Sequence, residues 1–507
     1  MKLAVMLESA GLRTPLSPEL GRVDASGLAY DSRRLERGNL FFAFAGARTD
    51  GAQFAAAALE HGAVAVVSER PRPEGFGSAW IEVAHGRRAL AVAARNFFNR
   101  PDERVRLTGV TGTNGKTTST TVIDAMLRHA GKTTALIGTI EYQLAGKVLP
   151  AVNTTPESLD LFRMFHELEL AGGTHATLEA SSHALHLGRI YGMHFHTAAF
   201  TNLTRDHLDY HHTMEEYFLA KQLLFRPQSA PPPRFAVVNA DDAWGRRLDL
   251  SPQTEVLWYG IDQATPERAG SRYFRAGRIQ PSFSGTHFEI AEAGKTHAVE
   301  TPLVGRINVY NILLAWAAGV SLGLDAEQMK DSLKEFKSVP GRFERVEEGQ
   351  PFLVVVDYAH TDDALRNVIS VAREMKPRRV ITLFGCGGDR DRTKRPLMGM
   401  AAGELSDFVV LTSDNPRSED PLAIMNDAMV GLQRFDTRHI AEPDREKAIR
   451  RAMEEAGPGD IVILAGKGHE TYQVLKDGPI PFDDRDVARR VLRSLGYAAK
   501  NGSSARA

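Results

Sequence analysis

The chain has 507 residues, a length that at about 150 residues per domain predicts about three domains and a large buried core. Its 62 Lys+Arg against 63 Asp+Glu give a net charge of -1, which excludes a global basic surface for nucleic acid or an anionic membrane and makes any anion site local. With 43% hydrophobic and 25% charged residues, no bilayer-spanning apolar stretch, no cleavable leader after the apolar run at 1–12 and a single cysteine, Cys386, read as a small apolar filler, a cytoplasmic protein is expected.

In chain order, residues 1–10 read as an apolar N-terminal helix, followed by strands at 39–44 and 63–67 on either side of an alanine-rich helical run at 51–61. A helix over 89–98 stops before Arg100-Pro101-Asp102, and proline after a helix places a boundary there, giving a small α/β domain over 1–101. Residues 105–111 then read as a buried strand, 112–115 as a glycine-rich turn and 117–129 as an amphipathic helix. Further strands fall at 134–139, 175–178, 197–200 and 235–239. Alternation of strand and helix predicts a mostly parallel sheet for a domain over 102–338. The proline-rich stretch 227–233 reads as an exposed loop. A second strand-helix series, with strands at 353–356, 380–384, 408–411 and 461–464, defines a third domain over 339–507. The polar segments that follow these strands, from Asp357, Gly385, Thr412 and Ala465, are expected to converge, because carboxyl ends of strands form the crevice of an open α/β sheet.

The sharpest motif is Gly109-Val110-Thr111-Gly112-Thr113-Asn114-Gly115-Lys116-Thr117-Thr118, where a strand becomes a helix. Glycines let backbone N–H groups turn inward around a phosphate, the helix N-terminus adds positive potential, Lys116 reaches outer phosphates and Thr117 can ligate Mg²⁺. The first glycine of the general G-x-x-x-x-G-K-[ST] pattern would fall at Val110, so the match is to a variant with glycine at every third position.

Two further strand ends bring Glu179-Ala180-Ser181-Ser182-His183 and Thr201-Asn202-Leu203-Thr204-Arg205-Asp206-His207-Leu208-Asp209-Tyr210-His211 to one rim. Glu179 and His207 could hold a second divalent cation, with Asp206 and Asp209 orienting the histidine or capping a helix. Lys221, taken by itself, reads as a lysine lying along an amphipathic helix with its ammonium in water. In the third domain Asp357-Tyr358-Ala359-His360-Thr361, Gly385 to Arg395, Asp414-Asn415-Pro416-Arg417 and Gly466-Lys467-Gly468-His469-Glu470 are four charged loops that core packing does not explain. Arg390 and Arg417 offer bidentate forks for a carboxylate and Glu470 a partner for an ammonium, which suits a zwitterionic amino acid.

Together with Asn153-Thr154-Thr155-Pro156, Ala220-Lys221, Asn308 to Asn311 and Pro340-Gly341-Arg342-Phe343-Glu344, this ordered set resembles the Mur ligase family, ATP-dependent amide-bond-forming enzymes of bacterial cell-wall synthesis, over essentially the whole chain. The resemblance implies three domains: an N-terminal one for the uridine nucleotide, a central P-loop-type ATPase and a C-terminal dinucleotide-fold-like one that closes over the site. It implies ATP and Mg²⁺ as cofactors, with Gly112, Thr113, Asn114, Gly115, Lys116, Thr117, Thr118, Asn308, Arg342 and Asp357 at ATP and His360 in the same loop. It also implies that Lys221 is carbamylated, which overturns the solvated reading and supplies oxygen to Mg²⁺ beside Thr117, Glu179 and His207. Lys116, Glu179, His207 and Lys221 are then the catalytic set.

By the same resemblance Tyr30, Ser32, Ala47, Arg48 and Thr49 fall at the uridine moiety, and Asn153, Thr154, Thr155, Ser181 and Arg189 at a muramoyl dipeptide, with Leu187 replacing a glutamine often seen there. Arg390, Asp414, Asn415, Pro416, Arg417, Gly466 and Glu470 match contacts to meso-diaminopimelate. Arg417 can bind a distal carboxylate, and a guanidinium facing lysine's ammonium is repulsive, which favours diaminopimelate over lysine or ornithine. The implied substrate is UDP-N-acetylmuramoyl-L-alanyl-D-glutamate, and the implied chain is a monomer that takes part in cell-wall formation, cell shape and division. A folylpolyglutamate synthetase, a plain P-loop ATPase and a non-catalytic nucleotide-binding scaffold are the competing readings.

Overall fold

Four short apolar segments, β1 (Gly27–Ala29), β2 (Asn39–Ala43), β3 (Ala65–Ser68) and β4 (Trp80–Glu82), pair side by side in chain order as a parallel sheet, and every residue of β2 and β3 is buried. A computed structural model shows this arrangement, and it describes residues 1–46, 49–262 and 271–497. The helix Gly86–Phe97 packs its Ala89, Leu90, Ala93 and Ala94 face into the core, a spacing that repeats with the helical turn. It ends where Asn99 and Arg100 take left-handed φ values of 59° and 53°, directly before Pro101.

β5 (Arg106–Thr111), β6 (Thr134–Ile137), β7 (Glu141–Leu144), β8 (Lys147–Pro150), β9 (His175–Glu179), β10 (Phe195–Phe200), β11 (Phe235–Asn239), β12 (Glu255–Gly260) and the start of β13 (Arg272–Ser282) form one sheet in the order β13-β12-β11-β10-β5-β9-β6-β7-β8. Pairing is parallel from β13 to β6, and β6, β7 and β8 form an antiparallel meander. β5 lies between β9 and β10, so the loop that leaves its carboxyl end is flanked by the ends of both neighbours. That is the position at which an open α/β sheet opens a crevice.

β14 (Gly285–Glu292) and β15 (Lys295–Thr301) form an antiparallel hairpin. β16 (Glu344–Val346), β17 (Leu353–Asp357), β18 (Val380–Cys386), β19 (Phe408–Ser413), β20 (Arg438–Glu442) and β21 (Ile461–Ala465) make a six-stranded sheet ordered β16-β17-β21-β18-β19-β20, parallel except at β16. Alternate residues serve two cores. Val355, Ile461 and Ile463 meet the helices Asp362–Glu374, Lys394–Leu405 and Pro421–Leu432, while Val354, Val356 and Val462 meet Arg445–Glu455 and Asp484–Ser494. A second hairpin, β22 (Tyr472–Leu475) with β23 (Gly478–Pro481), follows. Contacts divide the chain into two compact units: Met1–Leu203, His211–Arg275 and Leu313–Met329 in the first, and Thr204–Tyr210, Ala276–Ile312 and the described residues from Lys330 onward in the second.

The strands expected from the sequence are present; those at 175–178, 197–200, 353–356, 380–384, 408–411 and 461–464 run one or two residues longer, whereas those at 39–44, 63–67, 105–111 and 134–139 start or stop one or two residues short. The expected N-terminal helix is a single turn, Leu3–Met6, because Ser9 enters the left-handed region and Leu7 already leaves helical geometry. The run at 51–61 divides into a 3-10 turn, Gly51–Phe54, and the helix Ala55–Glu60. Cys386 is buried against Met398, its Sγ 3.7 Å from Sδ, and burial pushes its thiol up to about 12, in keeping with its reading as an apolar filler.

Candidate active site

Leaving β5, the chain turns at Gly112, whose φ of +144° brings it so close to the next strand that a Cβ there would lie 1.8 Å from Thr201 Oγ1. Gly115, at φ +87°, starts the helix Lys116–His129. The loop is stitched to the residue after Thr201. Thr113 N donates to the Asn202 carbonyl at 2.9 Å, Asn114 N to Asn202 Oδ1 at 3.0 Å, and Asn202 Nδ2 to the Asn114 carbonyl at 3.2 Å. A loop so fixed at a helix N-terminus presents a positive end for a phosphate. Lys116 Nζ donates to the carbonyls of Gly112 at 2.9 Å and Thr113 at 2.8 Å.

Lys221 is only 1% exposed, unlike the solvated lysine that its helix pattern suggests when taken by itself. The helix Met214–Gln222 turns Tyr217, Phe218, Ala220 and Lys221 inward. Nζ of Lys221 donates to the Gly112 carbonyl at 2.7 Å and sits 4.4 Å from the Tyr217 ring centroid, a cation–π contact, and Tyr217 Oη is 3.2 Å from Thr113 Oγ1. Tyr217 carried no sequence motif, yet its place one helical turn before Lys221 puts both on one face.

Glu179, at the end of β9, is 1% exposed and accepts from Thr117 Oγ1 at 3.1 Å, Thr139 Oγ1 at 3.1 Å and Thr139 N at 2.8 Å. Gly138 makes the approach possible, since a Cβ there would lie 2.4 Å from Glu179 Oε1. Thr139 is a site residue that sequence reasoning missed; the glycine beside it was the available signal. A buried pair of hydroxyl and carboxylate oxygens has the hard-donor chemistry of a Mg²⁺ site, so Thr117 and Glu179 fit that ion. His207, in the second unit, has a φ of 53°, and its ring Nε2 is 3.4 Å from Asp206 Oδ2 while its N–H donates to Asp206 Oδ1 at 2.8 Å. Asp206 thus lies beside the ring; Asp209 lies in the short helix Leu208–His211.

Of the residues expected at the muramoyl dipeptide, four converge. Thr155 Oγ1 donates to the Glu179 carbonyl at 2.6 Å and accepts from Ser181 N at 3.1 Å, Thr154 Oγ1 is 3.1 Å from Thr139 Oγ1, and Arg189 Nη1 donates to the Thr155 carbonyl at 2.9 Å. Arg189 and Arg87 both reach Glu157 Oε1, at 3.1 and 3.3 Å. Asn153 is exposed, and its carbonyl accepts from Tyr142 Oη. Of the residues expected at uridine, Tyr30 lines a cavity of about 510 Å³ with Arg34, Asn39, Phe98, Asp160 and Arg163. Its hydroxyl donates to Asp160 Oδ2, and burial followed by that carboxylate raises its pKa. Ser32 begins the 3-10 turn Ser32–Arg34 and is not among the lining residues; Thr49 is exposed, and Ala47 and Arg48 lie outside the described residues.

In the second unit Asn308 Nδ2 donates to the Val304 carbonyl at 2.8 Å and its Oδ1 accepts from Asn311 at 3.0 Å. Asp357, closing β17, accepts from the N–H groups of Phe343 at 2.7 Å and Ala359 at 2.9 Å; burial pushes its carboxyl up against the pull of Arg342. The Arg342 guanidinium lies 4.7 Å from the Tyr358 ring centroid, which is also 4.6 Å from His360 and 5.0 Å from His469. Both imidazoles are held below their usual range by burial first, then by Lys394 for His360 and by Arg342 for His469, the latter to about 4.

The amino-acid loops meet at the ends of β18, β19 and β21. Lys467, 0% exposed, places Nζ 3.4 Å from Asp414 Oδ1, 3.1 Å from Asn415 Oδ1 and 3.0 Å from Glu470 Oε2, and Asn415 Nδ2 donates to Glu470 Oε2 at 3.0 Å. Arg417, at φ 54°, donates to the Gly388 carbonyl at 2.7 Å, and Gly388 packs so tightly that a Cβ would lie 1.9 Å from the Pro416 carbonyl oxygen. Arg395, 0% exposed, pins these loops from beneath through Glu419 at 2.8 Å, Asp427 at 2.9 Å and the Gly387 carbonyl. Gly466 sits at φ +115° with its N–H on the Asp357 carbonyl at 3.0 Å, and Arg390 is exposed, donating to the Asp389 carbonyl. Lys467 and Arg395 are functional neighbours that the sequence motifs contained but did not single out.

A glycine-rich loop between strand and helix, a buried carboxylate–threonine pair and a cluster of charged loops on a second sheet suit an ATP-dependent ligase of modular build, and the chain belongs to the Mur ligase family. Residues 24–98 match the model described as "Mur ligase family, catalytic domain", 110–319 "Mur ligase middle domain" and 341–468 "Mur ligase, glutamate ligase domain". Within the family the chain is similar to the UDP-N-acetylmuramoyl-L-alanyl-D-glutamate--2,6-diaminopimelate ligase of Solibacter usitatus (strain Ellin6076), 63% identical over 497 residues that cover 98% of this chain and 99% of that one. The enzyme of that name from Geobacillus thermodenitrificans (strain NG80-2) is 46% identical, covering 93% and 96%. A solved structure of a UDP-N-acetylmuramoyl-L-alanyl-D-glutamate--2,6-diaminopimelate ligase aligns with a TM-score of 0.70 at 33% identity, covering 98% of this chain and all of that one.

Proposed function

We propose that the chain is an ATP-dependent ligase that joins meso-2,6-diaminopimelate to the D-glutamyl γ-carboxylate of UDP-N-acetylmuramoyl-L-alanyl-D-glutamate in peptidoglycan precursor synthesis, working in the cytoplasm as a monomer. The observation that carries this reading is the cluster in which Asp414, Asn415 and Glu470 gather around Lys467 beside the Arg417 loop, in a chain 63% identical to an enzyme with that name. Acidic groups suit an ammonium, and the fork of Arg417 suits a carboxylate at the far end.

In this mechanism the γ-carboxylate attacks the γ-phosphorus of ATP, ADP leaves, and the resulting acyl phosphate is opened by the amine of diaminopimelate to give the amide and phosphate. Lys116, at the mouth of the phosphate loop, steadies charge on the outer phosphates, and the loop's backbone N–H groups hold the chain of phosphates in place. Thr117, Glu179, His207 and a carbamate on Lys221 are the residues that would hold Mg²⁺, which would supply positive charge to offset that of the phosphates. Asn308, Arg342 and Asp357 are the residues for adenine, phosphate and ribose, and His360 lies in the same loop. Tyr30, Ser32, Ala47, Arg48 and Thr49 take the uridine moiety, and Asn153, Thr154, Thr155, Ser181 and Arg189 the muramoyl dipeptide. No described helix is long and apolar enough to cross a membrane.

The test is ATP-dependent ligation with diaminopimelate and L-lysine offered in parallel and product read by mass spectrometry. Product with diaminopimelate alone is expected; product mainly with lysine refutes the specificity, and product with neither refutes the ligase.

A further inference from the structure

Lys467 has no assigned part in the ligation, yet its surroundings are unusual for a lysine. It is fully buried in the second unit, and an ammonium has three N–H donors. Here it has three acceptors: Asp414 Oδ1 at 3.4 Å, Asn415 Oδ1 at 3.1 Å and Glu470 Oε2 at 3.0 Å. The amide of Asn415 is fixed in one sense, because Oδ1 also accepts from Val474 N at 2.9 Å while Nδ2 donates to Glu470 Oε2 at 3.0 Å. Each carboxylate uses one oxygen on the lysine, which leaves Asp414 Oδ2 and Glu470 Oε1 for a guest. Two carboxylates and one ammonium carry one net negative charge, the complement of one incoming ammonium.

We infer that Lys467 is a positioning and specificity-determining residue for the amino-acid substrate: it locks Asp414, Asn415 and Glu470 into one acidic receptor whose single net charge matches the ammonium of a zwitterionic amino acid. This inference rests on the ligase reading above. Without the lysine the Asp414 and Glu470 carboxylates repel each other, and since the Asn415 amide holds only Glu470 they separate, which spoils the receptor. Asp414 and Glu470 come from different strand ends, so no local turn holds them together once the ammonium is gone.

The test is steady-state kinetics of Lys467→Met, which keeps an unbranched side chain one atom shorter and removes the charge. The expected result is a KM for diaminopimelate raised at least about tenfold, with the KM values for ATP and for the nucleotide substrate within about twofold and kcat within about threefold of wild type. An unchanged KM for diaminopimelate overturns the inference, as does a parallel rise in all three KM values, which marks general loosening. Should Lys467→Met not fold, Lys467→Arg keeps the charge but displaces it and carries the same split. Wild-type protein that releases no phosphate with diaminopimelate refutes the ligase itself, an outcome distinct from an active wild type whose variants show no split.

Discussion

The carbonyl oxygen of Gly112 accepts hydrogen bonds from two lysines, Lys221 Nζ at 2.7 Å and Lys116 Nζ at 2.9 Å. Because Lys116 alone satisfies that carbonyl, Lys221→Met leaves it with a donor, and the expected loss of stability is about 1 kcal/mol or less. Turnover is expected to fall by about a hundredfold or more, since a group beside the phosphates acts on developing charge. Added formate or acetate should restore part of the activity of Lys221→Ala if a carbamate is the working form. Denaturant melts and phosphate-release assays on the two variants check this; no rescue together with an unmodified lysine in the intact-mass spectrum counts against the carbamate.

Two glycines separate the two ends of the reaction. A Cβ at Gly112 would meet Thr201 Oγ1 at 1.8 Å and one at Gly388 would meet the Pro416 carbonyl oxygen at 1.9 Å, both with little room to yield. Gly112→Ala is expected to raise the KM for ATP, and Gly388→Ala, which displaces the Arg417 loop, the KM for diaminopimelate. Each should cost about 1–3 kcal/mol of stability. A crossed result, with Gly388→Ala acting on ATP alone, would refute the assignment of the loops.

The side chains of Arg445 and Asp484 are both 0% exposed and joined by two hydrogen bonds of 2.8 and 2.6 Å, with Arg445 Nη2 also on the Ala465 carbonyl at 3.0 Å. Removing one partner strands a buried charge, so Arg445→Met is expected to lose about 3–5 kcal/mol, while Arg445→Met with Asp484→Leu recovers most of it. Urea midpoints for the two single variants and the double variant decide the matter. A double variant no better than the singles would show that the arginine acts through the Ala465 carbonyl instead.

His175 and His196 are both held at about 4, by burial first and by Arg106 second. The unfolded chain binds these protons at its ordinary value of 6.5, so between about 4 and 6.5 the unfolded state carries more protons than the folded one. Stability is therefore complete above 6.5 and falls as the pH drops toward 4. Replacing both with glutamine should flatten the acid slope of unfolding free energy in that window, measured by denaturant melts at fixed pH steps; an unaltered slope would place the proton uptake elsewhere.

Much of this was legible because chemistry and local structure shared the same residues. Gly112, Gly115 and Lys116 announce a loop between strand and helix, and the loop is there; the strand ends at Asp357, Asp414 and Gly466 likewise gather where apolar runs stop. The hairpin β7–β8 was not legible, since β8 is exposed along its length and shows no alternation of apolar and polar residues. Edge strand β20 is equally mixed. Lys221 looked like a solvated lysine because its helix has apolar residues on several sides, and only the tertiary pairing with Gly112 shows which side is buried. Lys467 has one partner three positions away, Glu470, but meets Asn415 across 52 positions, and Thr139 meets Glu179 across 40, relations that no local pattern encodes.

The pairing of the phosphate loop with Asn202, 88 positions later, bears on synthesis at the ribosome. When β5, its loop and the helix Lys116–His129 have emerged, the anion site still lacks the strand and the amide that hold it open, and β9 and β10 have yet to insert on either side. A nascent chain shorter than about residue 202 therefore has the glycine-rich motif without the amide that fixes it, and the loop reaches its final form only after β9 and β10 have both joined β5.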